Sequence, residues 1–155
     1  MKTSTLLALC LSLGMATSAA AQAQPSANMK IVAEKLRADK KLLVADNMIL
    51  TEAEAAKFWP VYDAYQVGLN GFAKRTLTLI MNYADNYAAM TDAVADKSLT
   101  EMLSIEQDRA ALMQSFRPKF AATIGPKKLA RYYQIENKLR AVVNYEIADA
   151  IPLVP

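Results

Sequence analysis

The sequence predicts an all-α protein, built as elongated helical hairpins of three to four helices, and three observations carry that prediction. Beyond residue 28, apolar side chains recur at steps of three and four almost throughout. No run alternates apolar and polar residues with the two-residue period of a half-buried strand. Glycines are few: Gly68 and Gly71 fall inside a helical run, and Gly125 lies between two others.

The chain opens on a leader. Lys2 gives a positive start, Leu6 to Met15 an apolar stretch, and Ala21-Gln22-Ala23 an A-x-A cleavage site. The apolar stretch is short of the roughly 18–20 residues that span a bilayer, so no transmembrane anchor is expected after cleavage. Cys10 follows Leu9 rather than a small residue, which argues against a lipoprotein. Residues 1–23 are therefore expected to be a signal peptide, with Ala21 as the alternative cleavage point, and 24–155 a single helical domain exported to the periplasm.

A first helix is expected over about 29–47, with Val32, Leu36 and Leu43 on one side. "ILTEAE" then reads as a helix start: Thr51 caps, Glu54 reaches back, and Leu50 is placed as a hydrophobic staple. From there Phe58, Tyr62, Tyr65, Leu69, Phe72, Thr76, Leu79, Tyr83, Tyr87 and Met90 form one seam, with Pro60 expected to kink or restart the helix near Trp59. That seam is core, or an interface between copies of the chain. "KSLTE" repeats the start signal, with Ser98 and Glu101 as a capping box or Thr100 as the cap. The helix after it is expected to turn Leu99, Met102, Leu103, Leu112, Met113, Phe116, Phe120 and Ile124 inward, with a second kink at Pro118. Gly125 suits the left-handed position after a helix and Pro126 the first position of the next, which runs to about 150 and stops at Pro152.

Composition removes whole classes of chemistry. There is no histidine, and the one cysteine lies in the leader. The mature chain thus has neither thiol nor imidazole for Ser-His-Asp or Cys-His nucleophilic sites, disulfides, or the usual zinc and copper sites. Di-metal carboxylate bundles of the Glu-x-x-His type are excluded with them. Eight methionines less Met1 and Met15 leave six, scattered over the expected helices as core filler. No cofactor, metal or catalytic residue is predicted. A net charge of +3 is too small to imply nucleic acid, although from Phe116 to Glu146 seven Lys or Arg face two acids.

Two carboxylates stand out. Leu129, Tyr132, Leu139 and Val143 define the inner face of the last helix, and Glu136 and Glu146 fall within it. Folding two helices back about Gly125 is expected to pair Arg117 with Glu136 and Arg109 with Glu146 as structural ion pairs. Acid–base catalysis fits poorly: ten residues is ~15 Å along a helix, more than the ~6.5–9.5 Å between the carboxylates of an inverting glycosidase.

Leu50-Thr51 and Leu99-Thr100, each read as opening a long helix in a small exported protein, resemble the paired LTxxQ motifs of the Spy/CpxP superfamily, with Glu54 and Leu103 at the glutamine positions. "FWPVYDAY" and "ARYYQIENKLRAVVNYEIADAIPLV" look like a closer group of small exported bacterial proteins, a likeness covering most of 50–154. The superfamily resemblance implies a curved helical homodimer in the periplasm that binds unfolded protein clients or an envelope sensor protein. It also implies binding through a concave helical face. The basic cluster of Lys119, Lys127, Lys128 and Arg131, with Trp59 and Tyr62 exposed at the kink, is the expected partner-binding surface. The alternative is a structural, self-associating envelope protein without clients.

Overall fold

The computed structural model describes residues 39–155. The leader, its cleavage site, and Val32 and Leu36 lie outside the described residues. All the regular structure described is helical: α1 over residues 39–48, α2 over Glu52–Asn86, a single 3-10 turn over Tyr87–Ala89, and α3 over Asp92–Ala150. The described residues of α1 contain none of the expected Val32–Leu36–Leu43 face except Leu43, which is exposed. Val44 and Met48, one turn apart, are buried instead.

α2 starts where the capping signal placed it. Thr51 Oγ1 accepts from the Glu54 amide at 3.3 Å, and the Thr51 amide donates to Glu54 Oε2 at 2.8 Å, completing a capping box. The approach to this start is strained. Ile49 sits at φ 51°, a left-handed position that costs a β-branched residue about 1–2 kcal/mol. α2 does not restart at Pro60 but runs on through it, and α3 runs on through Pro118. Burial of Phe58, Tyr62 and Tyr65 on both sides of Pro60 outweighs the roughly 3 kcal/mol that an interior proline costs. The seam continues to Met90, but α2 itself ends at Asn86, whose side chain donates to the Asn82 carbonyl at 2.7 Å.

α3 starts earlier than expected. Thr91 caps it by accepting from the Val94 amide at 3.3 Å, and Asp92 stands in the first turn where the helix dipole favours an acid. Ser98, Leu99, Thr100 and Glu101 are therefore interior residues, and their capping signal goes unused. The run from Asp92 to Lys97 holds nothing that breaks a helix, so the earlier cap wins.

At Gly125 (φ 72°, ψ 167°) the helical dihedrals of α3 are broken and the chain reverses. A hydroxyl bond from Tyr133 to the Met113 carbonyl (3.1 Å) and an Arg140–Glu106 ion pair (3.1 Å) show the two arms running antiparallel. The second arm then runs parallel to α2, as the Lys128–Glu54, Gln66–Glu136 and Tyr83–Pro152 contacts show. The result is an up-down-up bundle, and α1 lies in the cleft between α2 and the second arm at its Gly125 end. Lys41 there pairs with Asp63 at 2.7 Å, and Arg131 Nε donates to the Asn47 carbonyl at 2.6 Å.

The core is concentrated at that end: Val44, Met48, Phe58, Tyr62, Tyr65, Phe120, Ile124, Leu129 and Tyr132. Tyr132 is its hub, with ring centroids 4.8 Å from Phe120, 5.3 Å from Phe58 and 5.6 Å from Tyr133. The first part of the α2 seam, Phe58, Tyr62 and Tyr65, is thus packed within the chain, and from Leu69 onward the seam is half-buried. Gly68 lets the helices close, since a Cβ there would come within 2.7 Å of the Leu112 side chain. On the first arm of α3, Ile105, Leu112, Phe116, Phe120 and Ile124 turn inward, while Leu99, Met102, Leu103 and Met113 are exposed. At about 100° per residue Leu103 lies well round the helix from the Ile105–Phe120 stripe, whereas Met102 and Met113 fall beside that stripe and are exposed all the same.

Candidate functional site

Glu136 does meet partners, and they come from three elements. Its side chain, only 11% exposed, pairs through Oε2 with Lys40 Nζ of α1 at 2.8 Å. Its Oε1 accepts from Gln66 Nε2 of α2 and from the Tyr132 hydroxyl, both at 2.9 Å. Lys40 also donates to Gln66 Oε1 at 2.9 Å, which closes the ring of contacts. Burial, and then the Glu136 charge, push the Tyr132 hydroxyl far above the ordinary tyrosine range, so it stays a donor. A carboxylate neutralised by an ammonium and shared among such donors fastens helices.

Arg117 is not among these partners. The register set by Arg140–Glu106 puts Arg117 opposite Leu129, because eleven residues separate each of these from its member of the pair. Arg117 is exposed on the other side of the second arm. The same register carries Arg109 past Glu146. Arg109 lies with its guanidinium 5.4 Å from the Phe72 ring centroid, its Nε buried without a hydrogen-bond partner, and desolvation lowers its pKa. Glu146 is exposed and forms no ion pair among the described residues. Both expected pairs fail on the setting of the helices: Glu136 turns to α1 and α2, and Arg109 turns to Phe72.

The expected partner surface around that turn is largely occupied. Lys128 pairs with Glu54 and holds that carboxyl below its usual range, and Arg131 caps the last turn of α1. Tyr62 is 2% exposed, and the unbroken helix at Pro60 keeps it in the core. Trp59 is half-buried, with Lys41 Nζ 5.2 Å from its ring centroid. Lys119 lies 4.3 Å from the Phe116 ring centroid, which leaves Lys127 alone of the six exposed without a contact among the described residues.

Sequence reading missed a second polar centre towards the other end. Arg75 of α2 pairs through Nε with Glu101 at 2.8 Å and through Nη1 with Asp108 at 2.6 Å, and donates to Ser104 Oγ at 3.0 Å. These contacts, the one to Glu101 first, raise the Arg75 pKa, and they lower that of Glu101. The signal was present: Glu101, Ser104 and Asp108 share one helical stripe, and Arg75 adjoins the seam at Thr76.

Beyond Lys40 no described residue of α1 continues between α2 and the second arm. Leu77 lies eleven residues beyond Gln66 and Val143 seven beyond Glu136, so each continues the stripe of the residue that meets α1 below. Leu77 and Val143 are exposed, as is Met81 one turn past Leu77. Among the described residues no three His, Cys, Asp or Glu side chains converge as metal ligands, and no helix is long and apolar enough to cross a membrane. Compared with family models, with curated proteins and with solved structures, the chain matches none of them.

Proposed function

We propose that this chain is an exported, non-enzymatic helical binding protein of the periplasm that holds apolar segments of protein clients or of an envelope sensor. One observation carries the reading. Leu77 and Met81 of α2 and Val143 of the second arm of α3 are exposed, and Leu77 and Val143 lie on the same helical stripes as Gln66 and Glu136, which meet α1 lower down. Adjoining exposed large apolar side chains are the mark of an interaction surface, and laying an apolar helical stripe into a groove is a common peptide-recognition mode. The resemblance to the Spy/CpxP superfamily supports the same reading through "LTEAE", which does open a helix. The second motif, at Leu99-Thr100, opens none.

The purified protein should delay aggregation of a chemically denatured client, followed by light scattering. Leu77→Glu combined with Val143→Glu should lose most of that protection while leaving the melting curve in place, because both positions are exposed. A protein that neither protects any client nor captures an envelope component ends the proposal. Light scattering on the protein alone separates the self-associating alternative, in which the same double variant would turn an oligomer into a monomer.

A further inference from the structure

A groove runs between the two arms of α3 beside the Gly125 turn, lined by α3 alone. Its volume is about 370 Å³, at the small end of the roughly 300–1,000 Å³ typical of small-molecule sites. It exists because small side chains face each other: Ala121 on one arm meets Ala130 and Pro126 on the other, where larger residues would fill the gap. Met113 and Leu129 extend the apolar lining.

The charge around it is one-sided. Residues 113–135 contain five Lys or Arg and no acid. Lys128 is neutralised by Glu54, Arg131 is bound to the Asn47 carbonyl, and Lys119 lies 4.3 Å from the Phe116 ring centroid. That leaves Arg117 and Lys127 without an anionic partner among the described residues, and Arg117 is the one charged side chain in the lining. An apolar trough with a free guanidinium on its wall complements one ligand chemistry. A carboxylate matches the planar fork of arginine, and an alkyl chain matches the trough.

We propose that this groove binds a single-chain anionic amphiphile, a medium-chain carboxylate, with its head at Arg117 and its chain towards the Gly125 turn along Ala121, Pro126, Leu129 and Ala130. The site is separate from the α2–α3 cleft and does not depend on it.

The test is calorimetric titration of the purified protein with straight-chain carboxylates from hexanoate to laurate, below their micelle concentrations, beside the matching alcohols. Saturable one-to-one binding is expected, tightening about fourfold for each added methylene until the groove is full. Each alcohol should bind at least about tenfold more weakly than its carboxylate. Arg117→Gln should bring the carboxylate down to the alcohol's affinity and leave the alcohol unchanged. Ala130→Leu adds bulk at an exposed helical position, so it should abolish both while the melting curve stays in place. Leu77→Glu should alter neither. The proposal is overturned if no carboxylate binds, if Ala130→Leu leaves binding intact, or if Arg117→Gln leaves the carboxylate-to-alcohol ratio unchanged.

Discussion

The two ends of the bundle are built on different terms. At the Gly125 end, four helical segments meet, nine buried side chains form one cluster, and Lys40, Gln66 and Glu136 tie α1 to the rest. Towards the other end no described residue of α1 takes part, Ile105 is the one buried residue of the first arm outside that cluster among the described residues, and Arg75 holds α2 to α3 by a clamp at the bundle surface. Stability is therefore concentrated at the turn, while exposed apolar surface lies where few contacts compete for it. A protein that must offer sticky surface without unfolding gains from that division, since binding regions are drawn from the less stable parts of a structure.

The sharpest way to break this contrast is to truncate a side chain at each end. Tyr132→Ala removes the hub ring and leaves Glu136 and Gln66 short of a partner, so it should cost about 3–5 kcal/mol, near the scale of a whole domain's stability. Leu103→Ala, on the exposed stripe of the first arm, should stay within about 0.5 kcal/mol. Urea denaturation followed at Trp59 measures both. Equal losses would mean that the core extends evenly along the bundle.

The fastening of α1 gives a smaller effect and a more specific one. Lys40 and Glu136 are 24% and 11% exposed, so their pair is only partly screened by water. Lys40→Met and Glu136→Gln should each cost about 1–2 kcal/mol, and the double variant should cost less than their sum by about 1 kcal/mol. Arg117→Gln combined with Glu136→Gln should be additive, because Arg117 lies on the far side of the second arm. Coupling in the Arg117 cycle and none in the Lys40 cycle would overturn the arrangement of α1.

The same residues show what was legible in the sequence. The all-α class, the Thr51–Glu54 capping box, the α2 seam and the turn at Gly125 all follow from local patterns, since caps, periodicity and glycine act within a few residues. Glu136 was also visible as a carboxylate on an apolar stripe that needed partners. Who those partners are depends on how α1 and α2 are set against the second arm, which no local pattern fixes. Lys40 was hidden for a further reason. It precedes Val44 and Met48 by one and two turns on the buried stripe, but the expected face of that helix was drawn through Leu43 instead. The start of α3 failed because two valid caps competed and the earlier one, at Thr91, left no reason to stop before Ser98.

The smallest expected effect compares the two ends through pH. Glu54 is held below its ordinary value of 4.5 first by Lys128, and Glu101 below its own first by Arg75. For a carboxyl with a depressed folded pKa, the stability it contributes is fully present above the unfolded value and is lost as pH falls through the folded one. Stability should therefore hold down to about pH 5 and decline below 4.5, in small steps because both carboxyls are solvent-accessible. Lys128→Met should flatten the part of that decline due to Glu54, and Arg75→Met the part due to Glu101. The structural consequences should differ. Releasing Glu54 loosens the start of α2 beneath a packed core that stays closed, whereas releasing Glu101 opens the end where little else holds α2 to α3. Amide hydrogen exchange at pH 4 should accordingly rise more in residues 75–108 than in residues 52–66, and Arg75→Met should reproduce that pattern at pH 7. A uniform rise along α2 would show that the clamp and the core hold the bundle equally.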